Sequence, residues 1–154
     1  MYRGIGASLL GLLSACSSYP VNSDVTPAQQ LYNHVLEHGI PAEQWKRFEW
    51  FDGQRTITAE ASPDVLQLSI TASNAREKNG VRYTDTSVDD VLDKVDSWSW
   101  DADFHTTSLS PRDAQRGQEY HSLVDATLRY VSDGGEGRGE RKRPFFIFLG
   151  KKMF

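Results

Sequence analysis

Apolar positions recur along this chain in two rhythms. Leu31, Tyr32, Val35 and Leu36 fall at spacings of three and four, the period of a helix face. Thr26 and Gln29 form a capping box, Pro27 suits the first helical position, and Gly39 and Pro41 close the segment. From Arg47 the period shortens to two. Arg47–Phe51 and Gln54–Glu60 flank Asp52-Gly53, which predicts a hairpin with a two-residue turn. Across Asp64–Ala72, Leu66, Leu68, Ile70 and Ala72 alternate with Gln67, Ser69 and Thr71, the signature of a strand with one wet face. Asn79-Gly80 ends a polar stretch and predicts a second turn, with a fourth strand over Val81–Thr86.

The helical period then returns. Val88, Val91, Leu92, Val95 and Trp98 predict a helix over Ser87–Trp98, with Ser87 as cap and Asp89 and Asp90 at its positive end. Trp98, Trp100, Ala102 and Phe104 alternate with polar residues, so a fifth strand is expected there. A further helix is predicted from Ser110-Pro111, carried by Ala114, Gly117, His121, Val124, Leu128 and Val131 and ended by Asp133-Gly134-Gly135. A glycine-rich charged loop follows, then a last apolar strand over Pro144–Leu149. Together these elements predict an α+β fold: a mainly antiparallel sheet of five or six strands with two or three helices packed on one side.

The start of the chain has another character. Met1-Tyr2-Arg3 is short and basic, Gly4–Leu13 is small and apolar, and Leu13-Ser14-Ala15-Cys16 precedes polar Ser17-Ser18. The apolar run falls short of the roughly 20 residues that span a bilayer, so it reads as a secretory signal. Its last four residues resemble the lipobox of bacterial lipoproteins. The resemblance implies that Cys16 carries a thioether-linked diacylglycerol, becomes the N-terminus on cleavage and is acylated again. Cys16 is the sole cysteine; an exported domain using cysteine for disulfides would want an even number. Two or more acyl chains anchor a protein stably. The expected organisation is a signal peptide at 1–15, a lipidated tether at 16–25 and one α+β domain at 26–154. Ser17, rather than aspartate, after the cysteine leans by the same resemblance towards the outer membrane, facing the periplasm.

Composition is that of an ordinary globular chain, 38% hydrophobic and 25% charged. The net charge of −4 argues against a general nucleic-acid binder. Charge is uneven, however. Asp85, Asp89, Asp90, Asp93, Asp96, Asp101 and Asp103 crowd around a single base, Lys94, while Arg141-Lys142-Arg143 and Lys151-Lys152 bracket the last strand. The basic flanks read as guards against aggregation, with contact to anionic lipid as the alternative.

Candidate chemistry is sparse. His34-Val35-Leu36-Glu37-His38 matches H-x-x-E-H, which in inverzincin metallopeptidases holds zinc through two histidines four apart on one helix face. The string resembles that of the pitrilysin family, and Glu119 offers a third ligand. That family continues its helix where Gly39 and Pro41 end this one. His121 sits on an apolar stripe and reads as a core histidine. Asp103, His105, Glu119 and Ser122 supply acid–base types that no spacing brings together. The aspartates lack an EF-hand pattern. Gly134-Gly135-Glu136-Gly137-Arg138-Gly139 lacks the Lys-Ser/Thr of a phosphate loop. No catalytic residue, metal ligand or cofactor is assigned; Cys16, as lipid attachment point, is the one site. The expected partners are a membrane, through the N-terminal lipid, and an envelope protein or cell-wall component, with no nucleic acid. The expected function is a membrane-anchored, non-enzymatic envelope module. A periplasmic inhibitor or immunity protein, plugging a basic enzyme with its acidic helix, is the first alternative. A small metal-dependent envelope hydrolase is the second.

Overall fold

The structure is a computed structural model that describes residues 24–101 and 103–137. Among these, a helix α1 (Pro27–His38) leads into seven strands and a second helix. The strands are β1 (Ile40–Ala42), β2 (Trp45–Phe51), β3 (Thr56–Ser62), β4 (Gln67–Asn74), β5 (Asn79–Asp85), β6 (Lys94–Trp100) and β7 (Phe104–Leu109); the helix is α2 (Ala114–Ser132). Each strand pairs antiparallel with the next, so the sheet is an open meander in chain order. Both helices pack on one face. The architecture is the expected α+β, with seven strands in place of five or six. The signal, Cys16, the basic C-terminal clusters and the Pro144–Leu149 strand lie outside the described residues.

Period-two alternation builds the core. Phe48, Trp50, Ile57, Ala59, Ala61, Leu68, Ile70, Tyr83 and Val95 turn to the helix side and are buried. Ala28, Leu31, Tyr32 and Val35 of α1 and Tyr120, Leu123 and Val124 of α2 cover them. The α1 capping box forms as expected, with the Thr26 hydroxyl accepting from Gln29 N and Gln29 Oε1 accepting from Thr26 N. Aromatic side chains pin the helices through their polar tips. Tyr32 OH donates to the Ser62 carbonyl at 2.8 Å. Trp50 Nε1 donates to Thr127 Oγ1 at 3.1 Å while its ring stacks on Tyr130 with centroids 4.6 Å apart.

Two turns move from their expected places, because a side chain organises each loop. The Asp52 carboxylate accepts from the backbone of Gln54 and Arg55, giving a four-residue connection between Phe51 and Thr56. Asn74 does the same for Arg76 and Glu77, so Asn79 and Gly80 belong to β5 instead of a turn.

The larger correction is at Ser87–Trp98, which is no helix. Residues 86–93 form a loop, and β6 follows. Its cause is Asp85, fully buried, whose carboxylate accepts from the backbone N–H groups of Ser87, Asp89 and Asp90 and from Tyr120 OH. Those donors would head a helix, and a local side-chain acceptor takes them first. Val88 and Asp90 consequently adopt φ of 52° and 72°, left-handed values that a β-branched residue rarely takes. Val88 is fully buried, whereas Val91 is 57% exposed, so the apolar stripe is not used as a stripe.

The last helix starts later than Ser110 suggested. Asp113 is the N-cap, accepting from Gln115 N. Gly117 lies inside this helix, and a methyl group there would meet nothing within 4 Å. Gly117→Ala is therefore expected to stabilise the fold by about 0.5–1 kcal/mol through lost unfolded-chain entropy, seen as a higher urea midpoint. A lower midpoint would contradict this helix placement.

Candidate functional site on the open face of the sheet

The residues singled out for chemistry are dispersed. His34 and His38 do share a face of α1, with ring centroids 4.7 Å apart, but His34 packs edge-on to Phe48, and the exposed Glu37 places Oε2 3.6 Å from His38 Nε2. Glu119 is engaged elsewhere, accepting from Tyr83 OH at 2.6 Å and from Gln115. Among the described residues no three His, Cys, Asp or Glu side chains are grouped to hold a metal ion. His121 is not a core residue; its side chain is half exposed, with Nε2 2.8 Å from the Asp90 carbonyl. Glu119 and Ser122 both line a hollow of about 750 Å³ between α2 and β5–β6, while His105 and Asp103 lie on and beside β7. The aspartates also disperse: Asp85 into the core, Asp93 onto Thr86, and Asp96 onto Lys94.

The face of the sheet turned away from the helices is organised more coherently. Register aligns its side chains in rows across the strands. One row runs Arg47, Glu60, Ser69, Thr84, Lys94. The next runs Glu49, Thr58, Thr71, Arg82, Asp96, Ser108. A third runs Phe51, Thr56, Ser73, Gly80, Trp98, Thr106. The centre is recessed: Ser69, Thr84 and Thr71 are buried although they point away from the helices. A hollow of about 630 Å³ opens over Ser69 and Thr84, walled by Trp45, Arg47, Arg82 and Lys94.

Charge in this hollow is layered. Glu60 bridges two arginines, with Oε1 2.7 Å from Arg47 Nη2 and Oε2 3.4 Å from Arg82 Nη2. Lys94 Nζ lies 2.9 Å from Asp96. The Asp96 carboxyl is held below the usual carboxylate range, first by the bond from Lys94 and, against the cost of desolvation, by one from Ser108. The paired acids are the sunken members: side-chain exposure is 12% for Glu60 and 18% for Asp96, against 48%, 50% and 61% for Arg47, Arg82 and Lys94, while Glu43, also in the wall, is exposed. A molecule entering the hollow meets guanidinium and ammonium donors first and hydroxyls beneath them. Exposed ion pairs of this kind contribute little to stability, typically about 0–1 kcal/mol each.

Aromatic residues extend the same face. Trp98 reaches across to β5, and a Cβ on Gly80 would stand 2.5 Å from its Cζ2. Glycine at 80 thus lets the indole lie down on the sheet, half-buried. Phe104 and Trp100 continue the patch, each more than half exposed, with centroids 6.3 Å (Trp98–Phe104) and 5.5 Å (Trp100–Phe104) apart. The polar alternation of β4 foretold a wet face. Neither the basic rim nor the Trp98 platform could be read without register, which brings Arg47, Arg82 and Lys94 together from three strands. Comparison with family models, curated proteins and solved structures finds no significant match.

Proposed function

We propose that this chain is a lipid-anchored protein of the bacterial cell envelope, facing the periplasm, with the outer membrane favoured. It acts without catalysis, by binding a polar partner across the open face of its sheet. The anchor reading rests on the Leu13–Cys16 string and on the lone cysteine it contains. The binding reading is supported by one observation: a recessed, uncovered sheet face with cations at its rim. Ordered hydroxyls and charges in an open hollow are the usual means of fixing a polar ligand. The inhibitor reading drew on an acidic helix that the described residues do not contain.

Cys16→Ser tests the anchor. The native protein should sediment with membranes and carry fatty acyl mass. The variant should lose that mass, and its membrane-bound fraction should fall at least about tenfold, as expected when a multi-chain anchor is removed. Membrane partitioning that survives the substitution, on a native form without acyl groups, would overturn the proposal.

A further inference from the structure

We infer that the open face takes a glycan bearing carboxylate groups, with the acid between Arg47, Arg82 and Lys94 and a sugar ring on Trp98. The inference rests on the binding reading above and names its ligand class. Charge complementarity carries the first half. In a chain of net charge −4, three half-exposed cations converge on one hollow; Glu60 and Asp96, which pair with them, are largely withdrawn from solvent, while the exposed Glu43 also lines it. Arg47 and Arg82 spend their Nε and one Nη on Glu60 and Thr71, which leaves the outer end of each guanidinium to meet a carboxylate, and Lys94, paired with Asp96 on one side, adds an ammonium with further N–H donors. The floor hydroxyls of Ser69 and Thr84, 3.2 Å apart, suit a hydroxyl-rich ligand.

Trp98 carries the second half. Lys94 and Trp98 share the outer face of β6, so four residues at about 3.3 Å each put the two subsites about 13 Å apart. That gap fits linked sugar rings running along the strand. Trp98 is half-buried, lying against Gly80 with the Phe104 ring 6.3 Å away, and the part of the indole left exposed offers a surface for the apolar side of a pyranose. A flat bilayer suits this face less well, because the hydroxyls at its centre are recessed and only about 5% exposed.

The test uses the full chain in detergent, with calorimetry and tryptophan fluorescence. The probes are the disaccharide of N-acetylglucosamine and N-acetylmuramic acid, which carries one carboxylate, its uncharged analogue di-N-acetylchitobiose, free lactate, and anionic phosphatidylglycerol vesicles. The acidic disaccharide should bind at least about tenfold tighter than chitobiose or lactate, a difference of about 1.4 kcal/mol. Lys94→Gln and Trp98→Ala should each weaken it about tenfold, and binding should fall with added salt. Lys94→Gln touches only the exposed rim, so it remains informative if Trp98→Ala does not fold. Equal binding of both disaccharides, or binding indifferent to Lys94, overturns the inference, as does binding to vesicles alone. If no sugar binds while an envelope protein is captured in a Lys94-dependent way, the glycan is overturned and the binding surface stands. If neither occurs, both fall.

Discussion

Asp85→Ala is expected to cost about 4 kcal/mol of stability, a large share of what a domain of this size holds. The carboxylate is fully buried and collects three backbone N–H groups and Tyr120 OH at 2.9–3.3 Å. Alanine would leave all four donors in the interior or at its edge. Each unsatisfied buried donor costs about 1–3 kcal/mol, and relaxation of the loop recovers part of the sum. Asp85→Asn should lose about half as much, because its amide oxygen still accepts from two of the donors while its NH2 faces the other two. Tyr120→Phe should lose about 1–2 kcal/mol, one bond's share. Urea unfolding gives all three values. A loss below about 1 kcal/mol for Asp85→Ala would mean that the loop is not built on this residue. The effect should also reach the open face, since the loop ends at Lys94 and sets where β6 begins.

That aspartate also marks the limit of what sequence pattern discloses. Alternation in β4 and the Thr26–Gln29 box are short-range signals; the box formed where expected, and the strand formed from Gln67 onward, leaving Leu66, expected on the apolar face, in the preceding turn and 56% exposed. At 87–98 the pattern pointed to the wrong element. Val88, Val91, Leu92 and Val95 satisfy a helical period, but a period records spacing and is silent on competing acceptors. Asp85, two residues upstream of the expected cap, was such an acceptor. Converting that helix into loop and strand supplied one strand beyond those expected among the described residues; β1, where Gly39 and Pro41 were read only as a helix stop, is the other. The conversion also placed Lys94, Asp96, Trp98 and Trp100 on one face, where a helix would have distributed them round its axis.

The candidate site was legible only in part for a related reason. Gln67, Ser69 and Thr71 announced a polar face, but its rim is long-range. Arg47, Arg82 and Lys94 are 35 and 12 residues apart along the chain and meet only through the register of five strands. The His34–His38 pair shows the converse. Its spacing was right for a shared ligand, yet among the described residues no third His, Cys, Asp or Glu joins the two histidines in a group that could hold a metal ion.

Alkali is expected to unfold the protein through its buried tyrosines. Tyr83 and Tyr120 have phenol pKa values pushed far above the ordinary range, chiefly by burial and further by the carboxylates they contact, Glu119 and Asp85. Burial raises Tyr32 as well. In the unfolded chain these groups ionise near pH 10. Between that value and their folded values, the unfolded state has lost protons that the folded state retains. Stability is therefore full below about pH 10 and declines above it, by up to about 1.4 kcal/mol per pH unit for each tyrosine. Tyr83 and Tyr120 together would remove up to about 3 kcal/mol per unit, so the fold should collapse within about three units of pH 10. Tyrosinate absorbance should show Tyr83 and Tyr120 ionising only together with loss of the folded circular dichroism signal. Tyr83→Phe should make the decline less steep by one proton. A smooth ionisation of every tyrosine near pH 10 in a protein that stays folded would show that Tyr83 and Tyr120 reach water, and the pinning of α2 to the sheet through Glu119 and Asp85 would have to be abandoned.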